Sequence, residues 1–158
     1  MLTAKDISGM YAIIPTPAKP GSENLEATQT VDFEEITNLI NKLLADGVSG
    51  LIALGTTGEC ATVSSEEYKG LVDCILNTVN KRVPVFIGTT ALGSHDAFKR
   101  LKFAHEQGAD GSLLGLPMWQ PLTQEMAVSY YKSVSESFPQ LPIMAYANAR
   151  AFRFDFNP

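Results

Sequence analysis

Apolar residues run along this chain in two alternating rhythms. Short continuous runs occupy Tyr11 to Ile14, Ser49 to Leu54, Pro84 to Gly88, Ser112 to Leu116 and Pro142 to Tyr146, each bounded by glycine, proline or polar residues. Such runs predict strands buried on both faces. Between them, apolar residues recur every three or four positions. The sets are Ile36, Leu39, Ile40, Leu43 and Leu44; then Tyr68, Leu71, Val72, Ile75, Leu76 and Val79; then Ala97, Leu101 and Ala104; then Met126, Ala127, Tyr130, Tyr131 and Val134. Each set is one face of a helix. Asp32 with Glu35, and Ser64 with Glu67, predict capping boxes, while Ser94 and Thr123 predict simple N-caps. Gly47 and Gly108 close the first and third helices.

Strict alternation of strand and helix predicts an α/β protein with a parallel sheet. Two architectures fit, an open doubly wound sheet and a closed (β/α)₈ TIM barrel. The strands are spaced by about 33 residues, so eight repeats would need about 260, near the ~250 typical of the barrel. Both architectures place ligands where the strands end. The tail from Ala151 to Pro158 alternates Phe152, Phe154 and Phe156 with Arg153 and Asp155 and shows no final helix. That is a poor end for a domain. Residues 1–158 are therefore expected to be the N-terminal part of a single barrel domain, about its first five strands and four helices, with more sequence following.

Charge and composition narrow the function. Twelve basic against seventeen acidic residues leave a net charge of −5, with no basic stripe. A nucleic-acid or anionic-membrane partner is not expected. No apolar run approaches the ~20 residues that span a bilayer. The opening MLTAKDISGM lacks a cationic segment followed by an apolar one, so the expectation is a cytoplasmic enzyme. Cys60 and Cys74 are too few for a disulfide scaffold, and no Cys/His cluster offers a metal site. His95 and His105 have no triad or metal partner. No cofactor is expected.

The candidate chemistry sits at Gly55-Thr56-Thr57-Gly58-Glu59, where the second strand ends. Flanking glycines allow a tight turn that points successive N–H groups and two hydroxyls at one small anion. A carboxylate suits two short donors without a basic side chain, and no Gly-Lys-Ser/Thr follows to make a Walker loop. An ordinary strand-to-helix turn fits the spacing equally well. Of the eight lysines (Lys5, Lys19, Lys42, Lys69, Lys81, Lys99, Lys102 and Lys132), none ends an apolar strand.

The GTTGE loop, Pro15-Thr16-Pro17 after the first strand and Tyr146 at the end of the fifth resemble the dihydrodipicolinate synthase and N-acetylneuraminate lyase superfamily. The resemblance covers essentially the whole chain. It implies a (β/α)₈ barrel, usually a homotetramer, that joins a strand-six lysine to the ketone of pyruvate or a pyruvate-containing substrate as a Schiff base. That lysine would lie outside this chain. Gly58-Glu59-Cys60-Ala61-Thr62, Gly88-Thr89-Thr90-Ala91-Leu92, Gly115-Leu116-Pro117-Met118-Trp119 and Tyr146-Ala147-Asn148 look most like one branch, the trans-o-hydroxybenzylidenepyruvate or carboxybenzalpyruvate hydratase-aldolases of polycyclic aromatic degradation. These hydrate an aryl-substituted unsaturated 2-keto acid and cleave it to an aromatic aldehyde and pyruvate.

The resemblance implies that Gly55, Thr56 and Thr57 bind the pyruvyl carboxylate. It makes Tyr146, with Thr56, catalytic in proton transfer, and has Trp119 line an aryl pocket. Synthases usually carry a tyrosine where Trp119 stands. Their arginine for the second substrate has no counterpart either, since Ala151 holds the matching offset with Arg150 beside it. The branch commonly has a proline where this chain has Ala149. Alternatives are a synthase-like or other pyruvate-dependent lyase, or a non-catalytic truncated half-barrel that pairs with another chain.

Overall fold

The computed structural model describes residues 2–156; Met1, Asn157 and Pro158, and with them the end of the aromatic tail, lie outside the described residues. Strands β1 (Tyr11–Ile13), β2 (Gly50–Ala53), β3 (Val85–Gly88), β4 (Gly111–Leu114) and β5 (Ile143–Ala145) alternate with helices α1 (Phe33–Ala45), α2 (Ser65–Val79), α3 (Ser94–Glu106), α4 (Gln124–Ser137) and α5 (Ala149–Phe152). Neighbouring strands all pair in parallel, in the order β1-β2-β3-β4-β5. A doubly wound sheet reverses its winding direction and buries its first strand centrally. This sheet does not reverse.

The two faces of the sheet confirm the barrel. Leu51, Ala53, Val85 and Ile87 pack with Ile36, Ile40, Leu71, Val72 and Ile75 of α1 and α2. Leu114 continues that face against Leu101 of α3 and Val134 of α4. The opposite face carries Ile52, Phe86 and Leu113, covered by Tyr11, Met144, Tyr146 and the N-terminal Leu2 and Ile7. Helices on one face and strand side chains on the other make this the first five strands of a (β/α)₈ barrel. On that inner face a side chain at Gly50 would collide with the Tyr11 ring, and one at Gly111 with the Phe86 ring. Bulky and absent side chains thus interlock along the layer.

Local signals were met with five differences. Asp32 caps α1 by accepting the Glu34 and Glu35 N–H groups, but its own N–H donates to Pro17 O at 2.9 Å, so no reciprocal box forms. The box is complete at Ser64 and Glu67. The N-cap of α3 is Gly93 without a side-chain bond, and Ser94 is already helical. β4 stops at Leu114 because the Gly115 N–H leaves the ladder for the Thr90 hydroxyl, 2.8 Å away. The tail contains the short α5, and its Phe152 and Phe154 are buried against Leu116 and Ala127. Met126, expected on the buried face of α4, stands 57% exposed.

At the end where the strands begin, charged side chains staple the connections. Lys81 pairs with Asp110 at 3.0 Å and also donates to Gly108 O. Asp110 accepts the Val85 N–H at 3.0 Å, and Arg82 bonds Asn41 and the Thr78 and Val79 carbonyls.

Candidate functional site

The Gly55–Cys60 loop is folded tightly at the C-terminal end of β2. The Cys60 N–H returns to Gly55 O at 3.2 Å, and the Glu59 N–H to Thr56 O at 3.1 Å. Leu54 and Glu59 both take φ of 56°, a left-handed conformation that costs a side-chain-bearing residue about 1–2 kcal/mol. Two glycines make room for it. A Cβ at Gly58 would lie 2.6 Å from Leu54 N, and one at Gly88 would collide with the carbonyl oxygen that Leu54 turns toward it. The Thr16 hydroxyl, from the loop after β1, donates to Gly58 O at 2.8 Å. Gly55, Gly58 and Cys60 are buried in this turn, whereas Thr56 and Thr57 are exposed.

Tyr146 follows β5 and donates its N–H to Leu114 O at 2.9 Å, which fixes its backbone at the sheet's end. Its ring meets Phe152 edge-on, centroids 5.4 Å apart. Its hydroxyl lies 3.0 Å from Thr56 Oγ1, joining residues 90 apart in sequence across the barrel end. Asn148 donates from Nδ2 to the same hydroxyl at 3.1 Å, while its Oδ1 accepts the Ala151 N–H at 3.1 Å and caps α5. Because the amide oxygen is committed to the cap, its NH₂ faces the tyrosine. The Tyr146 oxygen therefore receives a hydrogen from Asn148 and shares a second bond with Thr56, in which either hydroxyl can donate.

The sequence singled out Thr56 and Tyr146, and the fold brings them into hydrogen-bond contact; Gly55 and Thr57 lie on the same loop. Trp119 stands apart from this hydrogen-bonded group, 69% exposed. Its N–H donates to Leu92 O at 3.2 Å and its carbonyl accepts from Arg153 at 2.6 Å. Asn148 and Thr16 were quoted within motifs without a role. Asn148 was detectable as the cap of a short turn, but its second bond, to Tyr146, depends on a fold of the tail that periodicity does not reveal. Ala149 is the first helical residue of α5, a position that tolerates proline because its N–H has no partner within the helix. Alanine in place of proline leaves the Asn148 cap intact.

All eight lysines are exposed. Lys42, Lys81, Lys99, Lys102 and Lys132 pair with Asp46, Asp110, Asp96, Glu106 and Glu136. A lysine that forms an imine near neutral pH needs a desolvated amine, and none of these has one. Burial pushes the Cys60 thiol up from its ordinary range, against an opposing pull from Arg100, so it is no ready nucleophile. His95 and His105 are both exposed, with His105 edge-on to Phe138. No group of three or more His, Cys, Asp or Glu able to hold a metal occurs among the described residues. Among them, too, no helix is long and apolar enough to cross a membrane.

Comparison with known proteins matches residues 19–151 to the dihydrodipicolinate synthetase family. A trans-O-hydroxybenzylidenepyruvate hydratase-aldolase of Pseudomonas aeruginosa is 41% identical over 155 residues, 98% of this chain and 46% of the relative. A trans-2'-carboxybenzalpyruvate hydratase-aldolase of Nocardioides sp. (strain KP7) is 40% identical over 152 residues, 96% of this chain and 46% of the relative. The solved structure of PhdJ bound to a substrate intermediate superimposes with a TM-score of 0.92 at 37% identity, covering 96% of this chain and 47% of that one. The chain spans about half the length of the curated relatives it matches.

Proposed function

Because this chain belongs to the dihydrodipicolinate synthetase family, we propose that residues 1–158 are the N-terminal part of a single barrel domain whose full-length protein is a Schiff-base hydratase-aldolase. Its substrate would be an aryl-substituted unsaturated 2-keto acid of the benzylidenepyruvate type, cleaved to an aromatic aldehyde and pyruvate during polycyclic aromatic degradation. The protein would be a cytoplasmic homo-oligomer, a tetramer as the resemblance implies. The observation that carries the reading is the 3.0 Å contact between Tyr146 and Thr56 at the end of the sheet, beside a loop shaped for a carboxylate. The 41% identity to a hydratase-aldolase favours this branch over a synthase.

In this proposal a lysine outside these 158 residues condenses with the substrate ketone and releases water. Thr56 and Thr57 hold the adjoining carboxylate through hydroxyl and N–H groups. Water then adds across the conjugated double bond, its oxygen going to the aryl-bearing carbon and a proton to the neighbouring carbon. Loss of the new hydroxyl's proton allows the C–C bond to break, its electron pair passing into the iminium as the aldehyde departs. Protonation of the resulting enamine and hydrolysis free pyruvate and the lysine. Tyr146 exchanges these protons, with Thr56 as its relay and Asn148 setting its orientation. Trp119 lines the aryl side of the pocket.

Borohydride tests the chemistry, since it reduces an imine to a stable amine. Full-length protein with pyruvate should yield an adduct on a lysine beyond residue 158, and residues 1–158 alone should yield none. An adduct on any of the eight lysines present here refutes the scheme.

A further inference from the structure

Arg100 lies on α3, half-buried and away from the Thr56–Tyr146 pair. Its Nη1 donates to two backbone carbonyls, Cys60 at 2.6 Å and Thr90 at 2.8 Å. Its guanidinium lies 4.5 Å from the centroid of the Tyr68 ring. Tyr68 is itself fully packed, and its hydroxyl donates to Gly88 O at 3.2 Å. None of the ion pairs among the described residues includes Arg100. A guanidinium committed to two carbonyls and an aromatic face is unusual for a helix-surface arginine, which more often pairs with a carboxylate or stays in water.

The two carbonyls explain the commitment. Cys60 closes the carboxylate-binding turn after β2, and Thr90 belongs to the loop after β3, whose hydroxyl receives the Gly115 N–H after β4. Arg100 thus ties two consecutive loops at the ligand end of the barrel, and the Thr90 hydroxyl links the second of them to the third. Thr16 holds the same turn from its other side, at Gly58. Between the two clamps sits Glu59 in its left-handed conformation. With the Gly58 and Cys60 carbonyls both held, Thr56 and Thr57 are left exposed in the first half of the turn.

We propose that Arg100 is a positioning residue for the carboxylate-binding loop, holding the Gly55–Cys60 turn in its strained, ligand-ready form through the Cys60 and Thr90 carbonyls. The proposal rests on the reading of that loop given under Proposed function. It predicts a defect in substrate binding first and a smaller one in bond-breaking, because Arg100 bonds neither Tyr146 nor Thr56 directly but holds the turn that carries Thr56.

The test uses the full-length protein and the variants Arg100→Met, Arg100→Lys and Arg100→Met combined with Glu59→Gly. Arg100→Met should raise KM for the aryl keto acid by about 10- to 100-fold, as misplacement of a binding group does, with a smaller fall in kcat because Thr56 moves with the turn. Arg100→Lys should fall between, since an ammonium lacks the planar fork and the stacking face. Glu59→Gly should restore part of the lost affinity, because glycine enters the left-handed region freely; a merely structural arginine would not be rescued this way. Amide hydrogen exchange at residues 56–60 should quicken in both single variants. A folded Arg100→Met with KM within about twofold of the parent overturns the proposal, as does a fall in kcat at constant KM. If Arg100→Met fails to fold, unchanged exchange at residues 56–60 in Arg100→Lys overturns it. Failure of the parent protein to trap pyruvate with borohydride would instead reject the proposed activity, while hydrogen exchange would still report on the clamp.

Discussion

Replacing Tyr146 by phenylalanine in the full-length protein removes one oxygen and keeps the ring against Phe152. The lost contacts are those at 3.0 Å to Thr56 and 3.1 Å to Asn148. Thr56 is exposed and Asn148 half-buried, so water can replace the missing partner. The stability cost should be that of two ordinary hydrogen bonds at most, about 0.5–1.5 kcal/mol each. A proton-transfer group is a larger matter. Its loss slows turnover by roughly 10²–10⁴-fold, or about 2.7–5.5 kcal/mol of barrier at 1.36 kcal/mol per tenfold. The first is a loss of stability and the second a rise in barrier, so kcat for aldehyde release measured beside the thermal midpoint separates them. Borohydride trapping of pyruvate on the same variant shows whether the carboxylate end still binds. A loss below about tenfold, with the midpoint unchanged, would mean that Tyr146 packs and orients without transferring protons. Asn148→Ala should lower kcat in the same direction by a smaller factor, since it acts only through the tyrosine.

Trp119→Ala should weaken aryl substrates by about 1–3 kcal/mol through lost stacking and burial, leaving pyruvate trapping intact; equal loss of aryl and small aliphatic 2-keto substrates in competition assays would make the tryptophan a structural prop. Ala149→Pro should be neutral or stabilising by about 0.4–1 kcal/mol in thermal unfolding, since proline suits the first helical position and stiffens the unfolded chain. Glu67 accepts from the Thr30 hydroxyl and N–H at 2.7 Å and from the Ser64 N–H at 3.1 Å, and these bonds, the Thr30 hydroxyl first, hold its carboxyl down at about 2 from an ordinary 4.5. Its stabilisation is present above pH 4.5 and lost as pH falls toward 2. The thermal midpoint of Glu67→Gln should therefore fall less steeply than the parent's across that window.

Helix faces were legible because one-sided burial imposes a period of 3.6, and the strands because burial on both faces leaves short continuous apolar runs. Residues that act across distance were less legible. Thr56 and Tyr146 drew notice through motifs, yet nothing in the chain between them, which sets them 90 positions apart, states that their oxygens meet. Arg100 reads as one more charge on an amphipathic helix until Cys60 and Thr90 are seen to present carbonyls to it. The tail was legible only in part, since the sequence showed no helix there and the structure forms α5. Phe152 fills the space above Gly115, a contact that no pattern within the tail encodes. Ser94 failed as a cap because helix entry was set by the extended backbone of Gly93, and a serine's propensity yields to such geometry.

The staples where the strands begin have a consequence for how the protein meets its solvent. There, Lys81 and Asp110 form an ion pair whose side chains are 65% and 24% exposed, within reach of mobile counterions that attenuate such attractions over a Debye length of about 8 Å at physiological ionic strength. At the opposite end, Thr16, Asn148 and Arg100 all donate to uncharged oxygens, contacts that depend far less on an electrolyte. Rising salt should therefore relax the floor of the barrel while leaving the geometry around Thr56 and Tyr146 in place, uncoupling resistance to unfolding from readiness for ligand.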